Sequence, residues 1–223
     1  MNQLIRRFDR AVSSRTLNLM DSIIDRRICG LSLVPYVPSI FRNDKTGEGG
    51  TGTQSTHYVF LRQMFSDFVL RENDVFLDVG CGKGRILAYL IQAKCPCPLY
   101  GVEYNEEVGK IAQDWSKQYE QISILIGDAL TLDYNPYTAL SLARPFLQKN
   151  FRLFVEHLEQ NLTHPIRIIF SYGQEYYFKL DGRPGWEMQL VHPVLRWRGV
   201  KHRHFYSIWS FDPGKRREEN PES

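Results

Sequence analysis

The fold of this chain is decided by residues 75–85, Val-Phe-Leu-Asp-Val-Gly-Cys-Gly-Lys-Gly-Arg. The first five residues are mostly apolar and are typical of a buried strand. Glycines at positions 80, 82 and 84 allow a sharp turn and a close approach of the backbone to a ligand. The helix that begins after them has unpaired N–H groups in its first turn. A strand, a glycine-rich turn and a helix in this order predict a ligand-binding turn of an α/β fold.

The segments around this turn alternate between helix and strand. The predicted strands of this alternating region cover residues 75–79, 99–104, 122–126, 138–143 and 166–172. The predicted helices cover residues 56–70, 83–94, 106–120 and 147–162. Two further strands, 186–192 and 204–211, have only a loop between them, so they are expected to pair antiparallel. The pattern predicts a doubly wound, mostly parallel seven-stranded Rossmann-like sheet with a C-terminal antiparallel hairpin.

Three parts of the chain differ in composition. Residues 1–52 combine apolar residues at helical spacing with a glycine-rich end, which predicts a helical arm and a loop. Residues 53–212 form the predicted ligand-binding domain, and residues 213–223 a polar tail. Overall, 43% of the residues are hydrophobic and 24% are charged, as is usual for globular domains.

Cysteine spacing and hydropathy favour a cytoplasmic protein without a metal site. The four cysteines show no spacing typical of a zinc site, so free thiols in a reducing cytosol are expected. No apolar run approaches the ~20 residues of a membrane span, and the N-terminus lacks the apolar segment of a signal peptide. We therefore expect no integral membrane association.

Two acidic residues follow the strands after the glycine turn. Glu103 ends the second strand, where a carboxylate can accept hydrogen bonds from ribose hydroxyls. Asp128 follows the third strand, where an acid can accept a hydrogen bond from an adenine amino group. A surface glutamate and an ordinary turn aspartate are the alternatives.

These residues resemble the motifs of class I S-adenosylmethionine-dependent methyltransferases. The resemblance covers about residues 53–211 and implies S-adenosylmethionine as the cofactor. In that family the acid and glycines of the first motif hold the methionine end, and the acids matching Glu103 and Asp128 hold the ribose and adenine. The cofactor residues assigned in this way are Asp78, Gly80, Cys81, Gly82, Gly84, Glu103, Tyr104, Asp128 and Ala129.

A finer resemblance lies upstream, in residues 52–58. This loop is similar to one in non-SET histone lysine methyltransferases and in small bacterial methyltransferases of unknown substrate, where it folds over the cofactor. The resemblance implies cofactor contacts by Thr53, Gln54, Thr56 and Tyr58. A helix cap formed by Ser55 or Thr56 is the alternative and is compatible with such contacts.

Nicotinamide dinucleotides are a rival ligand for a glycine turn. Their fingerprint has its third glycine one position later, at the residue that is Arg85 here. An arginine is too large for the close helix–strand packing of that fingerprint. The sequence therefore favours S-adenosylmethionine.

An acceptor should bind beyond the carboxyl ends of the strands. Residues 135–137, Asn-Pro-Tyr, precede the fourth strand and predict a turn at the opposite edge. After the fourth strand, Arg144 replaces the asparagine of the Asn-Pro-Phe found in the small bacterial relatives. Residues 172–177 form either an aromatic structural loop or part of an acceptor pocket. The catalytic candidates are Arg144, Tyr172 and Tyr176, in a pocket between residues 54–58, 144–146 and 172–177.

The sequence predicts a methyltransferase with an unidentified acceptor, which is a protein, an RNA or a small molecule. The replacement at Arg144 keeps a second hypothesis open, a cofactor-binding module without catalysis. Net charge is +3, and residues 183–204 hold five Lys/Arg against one acid, with Trp197 among them. This stretch is either a surface for an acidic partner or a solvated hairpin. For the N-terminal segment, packing on the domain or closure over the cleft is expected; binding to an anionic membrane surface is the alternative.

Overall fold

The computed structural model describes residues 14–38, 52–172, 179–194 and 204–215. Several predictions concern residues outside these ranges: the helix before residue 14, most of the glycine-rich loop, Tyr176, Trp197 and the end of the tail. The helices are α1 (Ser14–Cys29), α2 (Tyr58–Asp67), α3 (Arg85–Gln92), α4 (Glu106–Ser116) and α5 (Gln148–Asn161). The strands are β1 (Phe76–Val79), β2 (Leu99–Glu103), β3 (Ile122–Ile126), β4 (Ala139–Ala143), β5 (Ile166–Ser171), β6 (Trp186–Pro193) and β7 (Phe205–Phe211).

The described strands form a seven-stranded sheet in the order β3-β2-β1-β4-β5-β7-β6. Strands β1 to β5 pair in parallel, and β7 lies antiparallel between β5 and β6. This arrangement confirms the predicted mostly parallel sheet with its terminal hairpin. Strands β2 and β3 lie on one side of β1, and β4 and the later strands lie on its other side. The strand order therefore reverses between β1 and β4, and a crevice opens between the carboxyl ends of these two strands.

Two apolar cores cover the two faces of the sheet. One contains side chains of α1, α2 and α3, and the other is built largely on α5. On β1, Phe76 belongs to the first core, and Leu77 and Val79 belong to the second. All four residues of β1 are buried, as expected for a central strand covered on both faces.

The helix after the glycine turn is shorter than predicted at both ends. It begins at Arg85 because Gly82 and Gly84 have left-handed backbone conformations, with φ of +57° and +83°. It ends at Gln92 because Lys94 is also left-handed and the next N–H donates back to the carbonyl of Leu90. Residue spacing alone does not reveal a left-handed lysine, so the predicted helix extends two residues past Gln92.

Helix α1 packs on the domain through one face. Leu17 and Ile28 are buried there, and so are the side chains of Asp21 and Asp25. Leu19 and Ile23 are exposed on the outer face. Within the described residues, no helix is both long and apolar enough to cross a membrane.

Candidate functional site

A cleft of about 360 Å³ opens at the carboxyl edge of the sheet, beside the ends of β1, β2 and β4. Its volume lies within the range of small-molecule sites. The predicted cofactor residues that line it are Thr53, Gln54, Thr56, Asp78, Gly80, Cys81, Gly82, Glu103, Tyr104, Asp128 and Ala129. Segments far apart in the sequence therefore converge on one cleft.

Gly80 and Gly82 form a bare floor to the cleft. Both have positive φ, +69° and +57°. A Cβ at Gly80 would lie 2.4 Å from the Cβ of Pro145, and one at Gly82 would lie 2.7 Å from Cγ2 of Thr53. Any side chain at either position would therefore meet both backbone strain and a collision.

Gly84 has a packing role. Its φ is +83°, and a Cβ there would lie 2.8 Å from the ring of Trp115 on α4. The indole of Trp115 also donates a 2.8 Å hydrogen bond to the carbonyl of Lys83. Gly84 does not line the cleft, although the motif assigned it to the cofactor.

Glu103 ties the glycine turn to the end of β2. Its carboxylate accepts hydrogen bonds from the backbone N–H of Gly82 at 2.8 Å and of Asn105 at 2.9 Å. Burial raises the pKa of Glu103, while these N–H donors oppose the rise. Two carboxylate oxygens have about four acceptor sites, so capacity for ligand hydroxyls is left.

Asp78 is a buried acid at the base of the cleft. Its carboxylate accepts a 2.5 Å hydrogen bond from the hydroxyl of Ser141, its neighbour in register on β4. Burial raises the pKa of Asp78 to about 7; the hydrogen bond from Ser141 opposes this rise, and the nearby Glu103 adds to it. A cationic ligand group would favour the ionised form.

The third acid lies at the other end of the cleft. Asp128 accepts a 2.9 Å hydrogen bond from the N–H of Leu130, which fixes its carboxylate in a local turn. Tyr104 also lines the cleft, and its side chain is exposed. An exposed ring and a fixed carboxylate suit a flat base that carries an amino group.

The loop before α2 is held over the glycine turn by the N-terminal arm. Val37 and Thr53 exchange backbone hydrogen bonds of 3.1 and 2.8 Å. The hydroxyl of Ser55 donates to the carbonyl of Leu33 at 2.8 Å. Thr53, which contacts Gly82, is thereby positioned by residues that the sequence places in a separate arm.

Lys83 also joins the arm to the turn. Its ammonium donates to the carbonyl of Pro35. Burial, and secondly the neighbouring Arg85, lower the pKa of Lys83 to about 8. No pattern in the sequence indicates this role for Lys83.

Arg85 anchors α1 beside the cleft. Its guanidinium donates to Asp25 at 3.1 and 2.6 Å, to Asp21 at 3.2 Å and to the carbonyl of Ser55 at 3.3 Å. Asp21 Oδ2 also lies 2.6 Å from Nδ1 of His57. Arg85, which does not fit the dinucleotide fingerprint, thus has a structural role here. Its planar guanidinium satisfies two buried carboxylates together.

A signal for this anchor was present in the sequence. Asp21 and Asp25 lie four residues apart, on the same face of α1 as the apolar Leu17 and Ile28. Acids on an apolar face require a buried cationic partner. The partner itself, Arg85, is about 60 residues away and is revealed only by the tertiary structure.

Two predicted site residues lie elsewhere. The hydroxyl of Tyr58 donates to Asp25 at 3.0 Å, so this residue belongs to the anchor of α1 and does not line the cleft. Tyr172 bonds with the side chain of Thr56 and packs edge-on against His204, with ring centroids 4.9 Å apart. Both were expected to face the cleft, and the structure places neither of them in its lining.

Residues after β4 line the remaining wall of the cleft. Arg144, Pro145 and Phe146 are joined there by Asn150, in the first turn of α5, which sequence analysis missed. Arg144 is exposed and has a φ of +57°, uncommon for a non-glycine residue. Asn135 instead lies at the amino end of β4, where Thr163 donates to its side chain, which confirms the predicted turn at the opposite edge.

The described part of the basic C-terminal stretch is engaged within the fold. Arg183 donates to both carboxylate oxygens of Glu159, at 2.8 and 2.6 Å. His192 bonds with Gln63 and with the hydroxyl of Tyr206, each at 2.9 Å. The other four basic residues of the stretch lie outside the described ranges, so the predicted partner surface and the solvated hairpin both stay predictions.

The donors and acceptors of the cleft fit S-adenosylmethionine. Asp78 offers a carboxylate for its ammonium group, Glu103 offers acceptors for two ribose hydroxyls, and Asp128 offers one for the adenine amine. At Gly80 and Gly82 the cleft is lined by backbone without a side chain. Within the described ranges, no group of three or more His, Cys, Asp or Glu side chains is arranged to hold a metal ion.

Comparisons with known sequences agree with this assignment. The family model described as "Histone methylation protein DOT1" matches residues 52–139, less than half of the chain. A ribosomal RNA small subunit methyltransferase A of Prochlorococcus marinus is 28% identical over 46% of this chain and 33% of that protein. A probable counterpart from Methanococcus maripaludis is 23% identical over 56% of this chain and 45% of that protein. The chain thus spans less than half the length of these curated relatives.

Solved structures share the fold. An RNA methyltransferase from Salinibacter ruber in complex with S-adenosyl-L-homocysteine superposes with a TM-score of 0.55 and 18% identity, covering 76% of this chain and 97% of that one. TrmN from Thermus thermophilus superposes with a TM-score of 0.56 and 15% identity, covering 70% of this chain and 49% of that one. The chain thus shares the fold of Rossmann-like S-adenosylmethionine-dependent methyltransferases, as its motifs predict, and its curated relatives are methyltransferases.

Proposed function

We propose that this protein transfers the sulfonium methyl group of S-adenosylmethionine to an acceptor at the wall formed by Arg144, Phe146 and Asn150. One observation carries the proposal: three acids from three adjacent strands and a bare glycine turn line a single cleft, and that wall lines it too. The residues before position 53 act with the domain by holding its upstream loop over the turn.

Methyl transfer from a sulfonium is an in-line displacement, and the bound cofactor supplies the reactive methyl group. The protein's contribution is to align the acceptor and exclude water. Asp78 holds the aminoacyl group of the cofactor, and Glu103 holds its ribose. Thr53 covers the glycine turn between these two acids. No residue of this wall is an obvious base, and the reaction does not require one when the acceptor is already nucleophilic.

Arg144 favours an acceptor that carries a phosphate or a carboxylate. Its side chain is exposed at the cleft wall, and a guanidinium binds either anion through two parallel hydrogen bonds. The named relatives act on ribosomal RNA, so a phosphate-bearing RNA is one acceptor that fits this preference. A protein or a small anionic metabolite is compatible with the same contact.

A cofactor-binding module without catalysis is the second candidate. The observation that favours it is Arg144 itself, because the small bacterial relatives have at that position an asparagine whose carbonyl binds the acceptor. Asn150 lines the same wall and carries a side-chain amide. In the catalytic interpretation, this amide takes over the acceptor contact.

Calorimetry tests the cofactor assignment that both candidates share. S-adenosylmethionine and its demethylated product should bind, and NAD should not. Binding of NAD without a response to either sulfur-containing ligand would overturn it. Transfer of a labelled methyl group to fractionated RNA, protein or metabolites would then support the enzyme. Cofactor binding without transfer to any of these fractions would support the binding module.

The variants Arg144→Ala and Arg144→Lys test the acceptor contact. Loss of turnover with cofactor affinity retained supports acceptor binding, and partial rescue by lysine indicates that charge contributes. Loss of stability with turnover retained would mean that Arg144 forms a structural contact. Loss of cofactor affinity alone would assign Arg144 to the methionine end of the cofactor.

A further inference from the structure

Two cysteine thiols lie side by side at the edge of the sheet opposite the cleft. The Sγ atoms of Cys95 and Cys97 are 3.5 Å apart, in the loop between α3 and β2. Pro96 separates them and fixes its own φ near −65°. Neither residue lines the cofactor cleft, and the proposed reaction uses neither thiol.

The surrounding backbone holds this pair in place. The N–H of Cys95 donates to the carbonyl of Leu90 at 2.9 Å. The side-chain amide of Gln121 donates to the carbonyl of Cys95 at 2.7 Å and also to that of Cys97. One amide thus bridges both ends of the Cys-Pro-Cys segment, which keeps the two side chains on the same side.

The two thiols have different surroundings, as expected for an attacking and a resolving sulfur. Cys95 is partly exposed, whereas Cys97 is 1% exposed within the first core. The hydrogen bond from the Cys97 thiol lowers the pKa of Cys95 to about 7, although burial opposes the shift. A partly exposed thiol with a lowered pKa, next to a buried thiol, is the arrangement expected of an attacking and a resolving cysteine.

The other two cysteines provide a contrast within the same chain. Cys29 and Cys81 are both free thiols and are both buried. Burial raises the pKa of Cys29 to about 12, and burial also raises the pKa of Cys81. Buried, protonated thiols react slowly with oxidants.

We propose that Cys95 and Cys97 form a redox-active dithiol that low-molecular-weight disulfides oxidise to an intramolecular disulfide. The Cys95 thiolate attacks one sulfur of glutathione disulfide, forming a mixed disulfide and releasing one glutathione thiolate. The Cys97 thiol loses its proton and attacks Sγ of Cys95, which releases the second glutathione. The protein loses two electrons and two protons, and one glutathione disulfide becomes two glutathione thiols.

Closure of the bond is a short movement. The sulfur atoms must approach from 3.5 Å to about 2.05 Å, which side-chain rotation can supply in part. A ring closed by a single intervening residue is strained, and strained, accessible disulfides are readily reduced again. Such a site is therefore suited to transient oxidation in a reducing compartment.

Mass spectrometry of the full-length protein tests the proposal. The reduced protein is incubated with glutathione disulfide at neutral pH, quenched with acid and digested after alkylation. The peptide containing Cys95 and Cys97 should lose two hydrogen atoms and resist alkylation, with no persistent glutathione adduct. Reaction at this pair should be at least about tenfold faster than at Cys29 or Cys81.

Single variants separate the two roles. Cys97→Ser should accumulate a stable glutathione adduct on Cys95, and Cys95→Ser should leave Cys97 unmodified. Cys29→Ala is the matched control and should form the disulfide as the native chain does. A persistent adduct in the native chain, equal reaction at Cys29, or no reaction at the pair would each overturn the proposal, with no bearing on methyl transfer.

Discussion

Glu103 shows how one side chain connects a motif to a ligand site. It is 9% exposed, and it accepts hydrogen bonds from the N–H groups of Gly82 and Asn105. Its carboxylate therefore shapes the turn as well as the part of the cleft to which we assign the ribose. Burial raises the pKa of Glu103, and these N–H donors oppose the rise because they favour the charged form.

Glu103→Ala should weaken binding of S-adenosylmethionine by about 1–3 kcal/mol, on the order of 5- to 150-fold in Kd, because ribose hydroxyls lose a charged acceptor. Calorimetry measures this change, and Glu106→Ala, an exposed acid three residues later, is the control. An unchanged Kd together with an unchanged melting temperature would show that Glu103 does not bind the cofactor.

Asp78 should make cofactor binding depend on pH. With a pKa of about 7, its carboxylate is increasingly protonated below neutrality, and the ammonium group of the ligand then loses its partner. Affinity should fall by up to about tenfold per pH unit below pH 7. The profile should be flatter in Asp78→Asn, and a native profile without a break near neutral pH would contradict this role.

The same pKa has an opposite effect on the unliganded fold. A folded-state pKa raised above the unfolded value means that Asp78 stabilises the fold most below about pH 4. This contribution is lost as the pH rises through 7. Cofactor binding should therefore stabilise the protein more at pH 8 than at pH 6, which thermal melting with and without ligand measures.

At the scale of elements, α1 contributes to the site without lining it. Its two buried acids bind Arg85, the first residue of the helix that follows the glycine turn. Its C-terminal extension, through Leu33 and Val37, holds the loop that contains Thr53. The boundary predicted at residue 52 remains a prediction, although these contacts connect the two sides closely.

Arg85→Met should destabilise the fold by about 3–5 kcal/mol, because it leaves two buried carboxylates without their cation. Denaturant unfolding measures the change, with Arg27→Ala, exposed on the outer face of α1, as the control. The double variant Asp21→Asn with Asp25→Asn should recover part of the loss in an Arg85→Met background. Equal stability of Arg85→Met and the native chain would refute the anchoring role.

At the scale of the whole molecule, the parallel sheet brings residues that are far apart in the sequence to the same edge. Residues near positions 78, 103, 128 and 144 meet because the carboxyl ends of parallel strands share one edge. The arm adds a second layer over this edge. Ligand binding should therefore reduce backbone motion well beyond the glycine turn.

Hydrogen exchange with and without cofactor tests this coupling. Residues 33–38 and 53–58 should gain protection together with residues 80–84, because they are joined by Val37–Thr53 and Lys83–Pro35 contacts. The hairpin strand β6, distant in sheet order, serves as an internal control. Protection confined to the glycine turn would show that the arm does not respond to the ligand.

Local pattern was sufficient for most of the fold. The run from Val75 to Arg85 predicted a strand, turn and helix because apolar spacing and glycine positions act over a few residues. The antiparallel hairpin followed from the lack of a crossover helix. Helix ends were less accurate, since the left-handed conformation of Lys94 depends on packing around it.

The sequence by itself determined the sheet, the glycine turn and the three acids at strand ends, because these depend on short-range periodicity and on parallel topology. Only the tertiary structure decided that Arg85 anchors α1, that Tyr58 and Tyr172 do not line the cleft, and that Asn150 joins its wall. These placements depend on partners tens of residues away. Buried charges and hydroxyls take whichever partner the folded core brings within hydrogen-bonding distance, and no local pattern specifies that partner.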